Sequence, residues 1–134
     1  MVAINIEYQG NLHCRATHVP SGVELITDAP ADNMGKGETF SPTDLVAAAL
    51  GTCILTVMGM KAQSMGIDLT GSTIVVDKEM ASGPRRIGRL ATSLVIPHQI
   101  ANRDRKILEA AAFTCPVHKS MSSKVEMPIT FEWG

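Results

Sequence analysis

From Leu45 to Met60 the chain runs sixteen residues without a charged side chain, and no other feature constrains its fold as much. The run falls short of the roughly 20 apolar residues that carry a helix across a bilayer. Gly51, Thr52, Thr56 and Gly59 also interrupt it. A buried core helix is therefore expected. Its start is marked by Ser41 as a cap, Pro42 at the first helical position and Asp44 placed to close a capping box. It should continue to about Met65 and stop at Gly66. A helix that is apolar all round must be covered all round, and one small sheet covers a single side. Ala47, Ala48, Ala49, Gly51 and Gly59 would let another element come close. The chain has one further long helix to offer, so a second subunit is expected.

The rest of the composition is that of an ordinary globular protein, with 45% hydrophobic and 19% charged residues among 134. That length reads as one domain, residues 1–134. Aromatic residues make up 4%, so the core must be aliphatic, with eight methionines as adaptable filler. A net charge of −1 argues against nucleic acid or a membrane surface as a partner. The opening residues show no basic segment followed by an apolar one, hence no visible secretory signal. Three cysteines are too few for a disulfide scaffold. A reducing cytoplasm is the expected location, and a functional disulfide there would be transient.

Val2, Ile4, Ile6 and Tyr8 alternate with polar residues, which predicts a half-buried strand. After a turn at Gly10-Asn11, Leu12, Cys14 and Ala16 share the apolar face of a second strand, with His13, Arg15 and Thr17 opposite. A turn at Pro20-Ser21-Gly22 leads to a third strand over 23–27, completing an antiparallel meander. Residues 28–40 read as a solvated Gly/Asp/Asn-rich loop, because Gly35-Lys36-Gly37 lacks phosphate-loop spacing. Strands are predicted over 67–80 and 87–97, and an amphipathic helix from Asn102 to Phe113. Pro116 opens a short helix, and a last strand carries Val125, Met127, Ile129, Phe131 and Trp133 on one face. Pro128 on the other face points to a sheet edge. The order β-β-β-α-β-β-α-(α)-β is an α+β pattern around a buried central helix.

The chemistry turns on Cys14, Cys53 and Cys115. Cys14 reads as a small hydrophobe on a strand. Cys53 lies mid-helix, beyond the reach of the helix dipole, and inert filling of the core is an equal reading of it. Cys115 precedes Pro116 and would cap a short helix whose free N–H groups stabilise a thiolate. His118 is three residues on. The residues alone thus rank Cys115 as the more acidic thiol, against the alternative that it fills a break between helices. Zinc is disfavoured, since no CxxC occurs and adjacent His13 and Cys14 point to opposite faces of a strand. A serine hydrolase is also disfavoured, because there is no GxSxG.

The stretches "ITDAPADNMGKGETFSPTDLVAAALGTC" at 26–53 and "CPVHKSM" at 115–121 resemble the OsmC/Ohr family of osmotically inducible and organic hydroperoxide resistance proteins. The order of strands and helices agrees along nearly the whole chain. The resemblance implies an OsmC-like fold in an intertwined homodimer and a thiol-dependent peroxidase acting on organic hydroperoxides. Cys53 matches the family's peroxidatic cysteine and Cys115 its resolving cysteine, which reverses the ranking drawn from the residues alone. A Cys53 sulfenic acid would condense with Cys115 to a disulfide, and an external dithiol would reset it. No metal, flavin or haem is implied.

Apolar surroundings raise a thiol pKa, so Cys53 needs a cation. Arg15 lies where the resemblance places an essential arginine, with Lys36 and His118 as rivals. The glutamate that holds this arginine in better-known members falls at Thr43, and the acid, Asp44, comes one place later. Asp44 therefore either caps the helix or pairs with Arg15. The competing functional class is a non-enzymatic dimeric domain that senses redox state or binds small molecules through reactive cysteines.

Overall fold

The computed structural model describes all 134 residues, which gather into two compact units, Met1–Val46 and Ala47–Gly134. The first holds β1 (Ile4–Gly10), β2 (His13–His18) and β3 (Glu24–Asp28), an antiparallel sheet in the order β1-β2-β3. This is the expected meander, with one local change. Asn11 and Leu12 both adopt positive φ, 53° and 62°, so the turn falls on them and Leu12 does not join β2. A second expectation fails. Val2, Ile4, Ile6 and Tyr8 were to be half-buried, yet all four are exposed, Ile6 at 68%. The alternation is present, but the face it creates is left open by its own chain.

Helix α1 (Pro42–Ser64) begins where the local chemistry predicts. The Ser41 N–H donates to Asp44 Oδ2 at 2.9 Å and the Asp44 N–H donates to Ser41 Oγ at 3.1 Å. This reciprocal pair is the capping box, and it satisfies two otherwise orphaned donors. At 23 residues α1 outruns its charge-free segment and is long and apolar enough to cross a membrane by length and composition. Its stripe of Leu50, Ile54, Met58 and Ala62 is nevertheless fully buried within the chain. The covered surface is only a stripe, since Ala49, Thr52, Thr56 and Met60 are exposed.

In the second unit β4 (Thr73–Ala81), β5 (Arg86–Ile96) and β6 (Ile129–Trp133) form a sheet with β5 central. β4 runs antiparallel to β5, whereas β6 runs parallel to it. α1 lies close against this sheet at Gly51, where an added Cβ would sit 3.0 Å from Val76 Cγ2. Gly59 shows no such approach. The predicted strand at 67–80 starts only at Thr73, because the Asp68 carboxylate accepts from the Thr70 N–H and hydroxyl and bends the chain into a turn. β6 likewise starts after Pro128, which has no N–H for a ladder, and it occupies a sheet edge as expected.

Helices α2 (Asn102–Ala112) and α3 (Pro116–Ser120) follow. α2 is tied to β6 by Trp133 Nε1, which donates to Glu109 Oε1 at 2.9 Å, and by Arg105 over the Trp133 ring. Leu108 and Ala112 are fully buried with Leu90, Leu94 and Ile96 of β5. Anchored in this way, α2 fixes the position of the chain break that follows it.

Candidate functional site

Pro116 ends the run of α2 and opens α3, leaving Cys115 between them as the cap of the short helix. Cys115 Sγ accepts the His118 N–H at 3.4 Å. The sulfur is fully buried. Burial is the largest influence on this thiol and pushes its pKa up, and the neighbouring Cys53 thiol adds to the rise. The Val117 and His118 N–H groups pull the other way and do not prevail. The cap geometry predicted for Cys115 is therefore present, but the acidity inferred from it is not. Desolvation outweighs two weak N–H contacts to sulfur.

Cys53 comes from the middle of α1 and is half-buried, one residue before the fully buried Ile54. Its thiol meets the Cys115 thiol at the edge of the covered stripe. The two cysteines thus differ in access: one borders solvent and the other is enclosed. A groove of about 670 Å³ lies between α1 and the end of α2. Val57, Met60, Ile107, Ala110, Ala111 and Thr114 line it mostly with carbon, with Lys61 and Ser64 as its polar members; Val57 follows Cys53 by one helical turn and Thr114 precedes Cys115. Chemically this is a half-buried thiol backed by a second, fully enclosed one.

Of the remaining sequence candidates, Cys14, Arg15, Lys36, Thr43 and Asp44 lie in the first unit and His118 in the second. Cys14 is half-buried on β2 and paired in register with Thr27. Arg15 Nη2 donates to Glu7 Oε1 at 3.1 Å across β1 and β2, with both side chains substantially exposed. Asp44 serves the capping box. Thr43 Oγ1 lies 3.2 Å from Ser41 Oγ. The imidazole of His118 packs edge-on against Phe113, with ring centroids 5.9 Å apart.

Sequence reasoning overlooked one constellation, in which His13, Asp28 and Glu38 converge. Their spacing along the chain matches no motif. The available signals were the cross-strand register of a hairpin and the glycine density of the loop after it.

Comparison with known proteins follows the same outline. The family described as OsmC-like protein matches residues 35–130. A structure of a candidate osmotic stress induced and detoxification response protein from Psychrobacter arcticus is 42% identical, with a TM-score of 0.94, over 98% of this chain and 96% of that one. An organic hydroperoxide resistance protein from Legionella pneumophila shares the fold at 19% identity and a TM-score of 0.73, over 98% and 96% of the two chains. The organic hydroperoxide resistance protein OhrB of Bacillus subtilis does so at 16% identity and 0.74, over 98% of each. Among curated proteins none matches.

Proposed function

The chain belongs to the OsmC-like protein family, and from that membership we propose that it is a cysteine-based peroxidase that reduces organic hydroperoxides. The observation that carries this reading is that Cys53 lies near enough to Cys115 to push its pKa up, which puts a half-buried thiol beside a fully buried one. In the first step the Cys53 thiolate attacks a peroxide oxygen. The S–O bond forms, the O–O bond breaks, and the alcohol leaves with a proton. Cys53 is then a sulfenic acid.

Cys115 next attacks the Cys53 sulfur. The S–S bond forms, the S–O bond breaks, and the Cys115 proton leaves with the hydroxyl as water. The raised pKa keeps Cys115 protonated and out of competition for peroxide until Cys53 is oxidised; Cys115 then gives up its proton to the departing hydroxyl as its sulfur attacks. An external dithiol returns two electrons and two protons and departs as a disulfide. The apolar groove supports alkyl or fatty hydroperoxides over hydrogen peroxide. Arg15 is the proposed cation for the Cys53 thiolate, and Asp44 the proposed acid in place of the family glutamate. Neither metal nor organic cofactor enters these steps.

The active form is proposed to be a homodimer in the cytoplasm. A second reading, a redox-sensing domain, draws on Thr43 standing where a glutamate would hold the arginine and on Arg15 engaged with Glu7. Steady-state consumption of an organic hydroperoxide with excess dithiol separates the two. A peroxidase turns over many times, whereas a sensor consumes one equivalent per chain and stops.

A further inference from the structure

The first unit holds a second polar constellation, remote in sequence from both reactive cysteines. His13 opens β2 and Asp28 closes β3, and the two are direct cross-strand partners. Asp28 is 1% exposed. Its Oδ2 accepts the Lys36 and Glu38 N–H groups at 3.3 and 3.2 Å, so the loop after β3 is folded back over the end of the hairpin. Gly35 makes that fold possible, since any Cβ there would overlap the Ala29 carbonyl. The loop read as merely solvated is thus wrapped around a buried carboxylate, and it delivers Glu38 to His13.

The imidazole is oriented by its other nitrogen. His13 Nδ1 lies 2.8 Å from the Asn11 carbonyl oxygen, which can only accept, so Nδ1 carries a proton. In the neutral ring the Nε2 lone pair is then directed at two carboxylates. Nε2 lies 3.6 Å from Asp28 Oδ1 and 3.5 Å from Glu38 Oε2. Both separations exceed an ordinary N–H···O hydrogen bond, which spans about 2.7–3.2 Å. They match the edges of a coordination polyhedron, because tetrahedral zinc with bonds of about 2.0–2.2 Å sets its ligand atoms roughly 3.3–3.6 Å apart. All three ligand atoms lie within 4.8 Å of one another.

We propose that His13 Nε2, Asp28 Oδ1 and Glu38 Oε2 bind a divalent zinc-class cation. One imidazole and two carboxylates suit zinc, whereas calcium and magnesium take oxygen ligands. Two carboxylates balance the dipositive charge. Both outer contacts that such a site requires are in place, the Nδ1–H on a carbonyl and the second Asp28 oxygen on two N–H groups. The Glu38 side chain is 55% exposed, so the site opens to solvent on that side and a water completes the tetrahedron. The ion clips the 36–38 loop to the hairpin and is structural; the thiol chemistry proceeds without it. An imidazolium held by the same carboxylates is the competing occupant, and it predicts no metal stoichiometry.

The test uses the full chain, stripped with chelator and dialysed against zinc or cobalt(II) at neutral pH. One zinc per chain is expected, and the thermal midpoint should rise with zinc. His13→Gln and Glu38→Gln should each weaken binding by at least about tenfold and abolish the zinc-dependent rise. Glu38 is on the surface, so its variant is expected to fold. The cobalt complex should show visible d–d bands without the intense near-ultraviolet band of thiolate ligation, which separates this site from Cys53 and Cys115. Sub-stoichiometric zinc in the wild type, unchanged binding in both variants, or a thiolate band would each overturn the proposal.

Discussion

Cys115 neighbours Cys53 closely enough for each thiol to feel the other, and the fully enclosed one is the one at the helix cap. A helix N-terminus normally favours thiolate, so the raised pKa of Cys115 is a case of desolvation overriding a local dipole. On the proposed mechanism Cys115 is held in reserve and the less buried Cys53 is the thiol that reagents meet first. With limiting iodoacetamide near neutral pH, alkylation at Cys53 should lead that at Cys115, read by peptide mass spectrometry. Equal or inverted labelling would contradict the assigned roles.

The same shift sets an alkaline limit on stability. A thiol whose folded pKa lies above its unfolded value, about 8.5, binds more protons folded than unfolded. Its contribution is full below the unfolded pKa and is lost as pH rises through the folded one. The wild type should therefore lose stability above about pH 8.5, and Cys115→Ala should show a flatter decline, measured by urea unfolding across pH. Parallel curves would remove Cys115 as the cause.

Arg15→Ala tests the proposed cation. The Arg15–Glu7 pair is largely exposed, and such pairs are worth about 0–1 kcal/mol, so the fold should be nearly unaffected. If Arg15 supports the thiolate, its loss should slow single-turnover oxidation of Cys53 across the neutral pH range, while disulfide closure from oxidised Cys53 changes little. A wild-type profile in Arg15→Ala with a shift in Lys36→Ala or His118→Ala would transfer the role.

Ile4, Ile6 and Tyr8 on β1 and Met60 on α1 are exposed, and apolar side chains grouped on one strand are the kind of surface that a partner covers. A dimer is expected by sedimentation down to nanomolar concentration, since obligate interfaces commonly bury about 2,000 Å² or more. A folded monomer at that dilution would contradict it. Within one chain, Ile54→Ala should cost about 2–5 kcal/mol, because that side chain is fully buried.

How much of this was legible in the residues depended on the range of the forces involved. The start of α1 and the cap at Cys115 are local chemistry, and Ser41, Asp44 and Pro116 announce them. The strand lost at 67–72 also failed locally, because an Asp68 turn outcompeted an alternating pattern. The acidity of Cys115 was misjudged since burial is a tertiary quantity that no spacing encodes. The His13–Asp28–Glu38 constellation needed the β2–β3 register and the fold of the following loop, neither of which single residues declare. The pairing of Cys53 with Cys115 was legible only through resemblance to a family.

That pairing is the centre of the account, and it is tested by treating the reduced protein with one equivalent of organic hydroperoxide and mapping disulfides after non-reducing digestion. The account predicts a dominant Cys53–Cys115 bridge within one subunit, with Cys14 recovered as free thiol, and none of that bridge in Cys53→Ser. A dominant bridge through Cys14, or full oxidation of Cys53 with Cys115 still free, would contradict it.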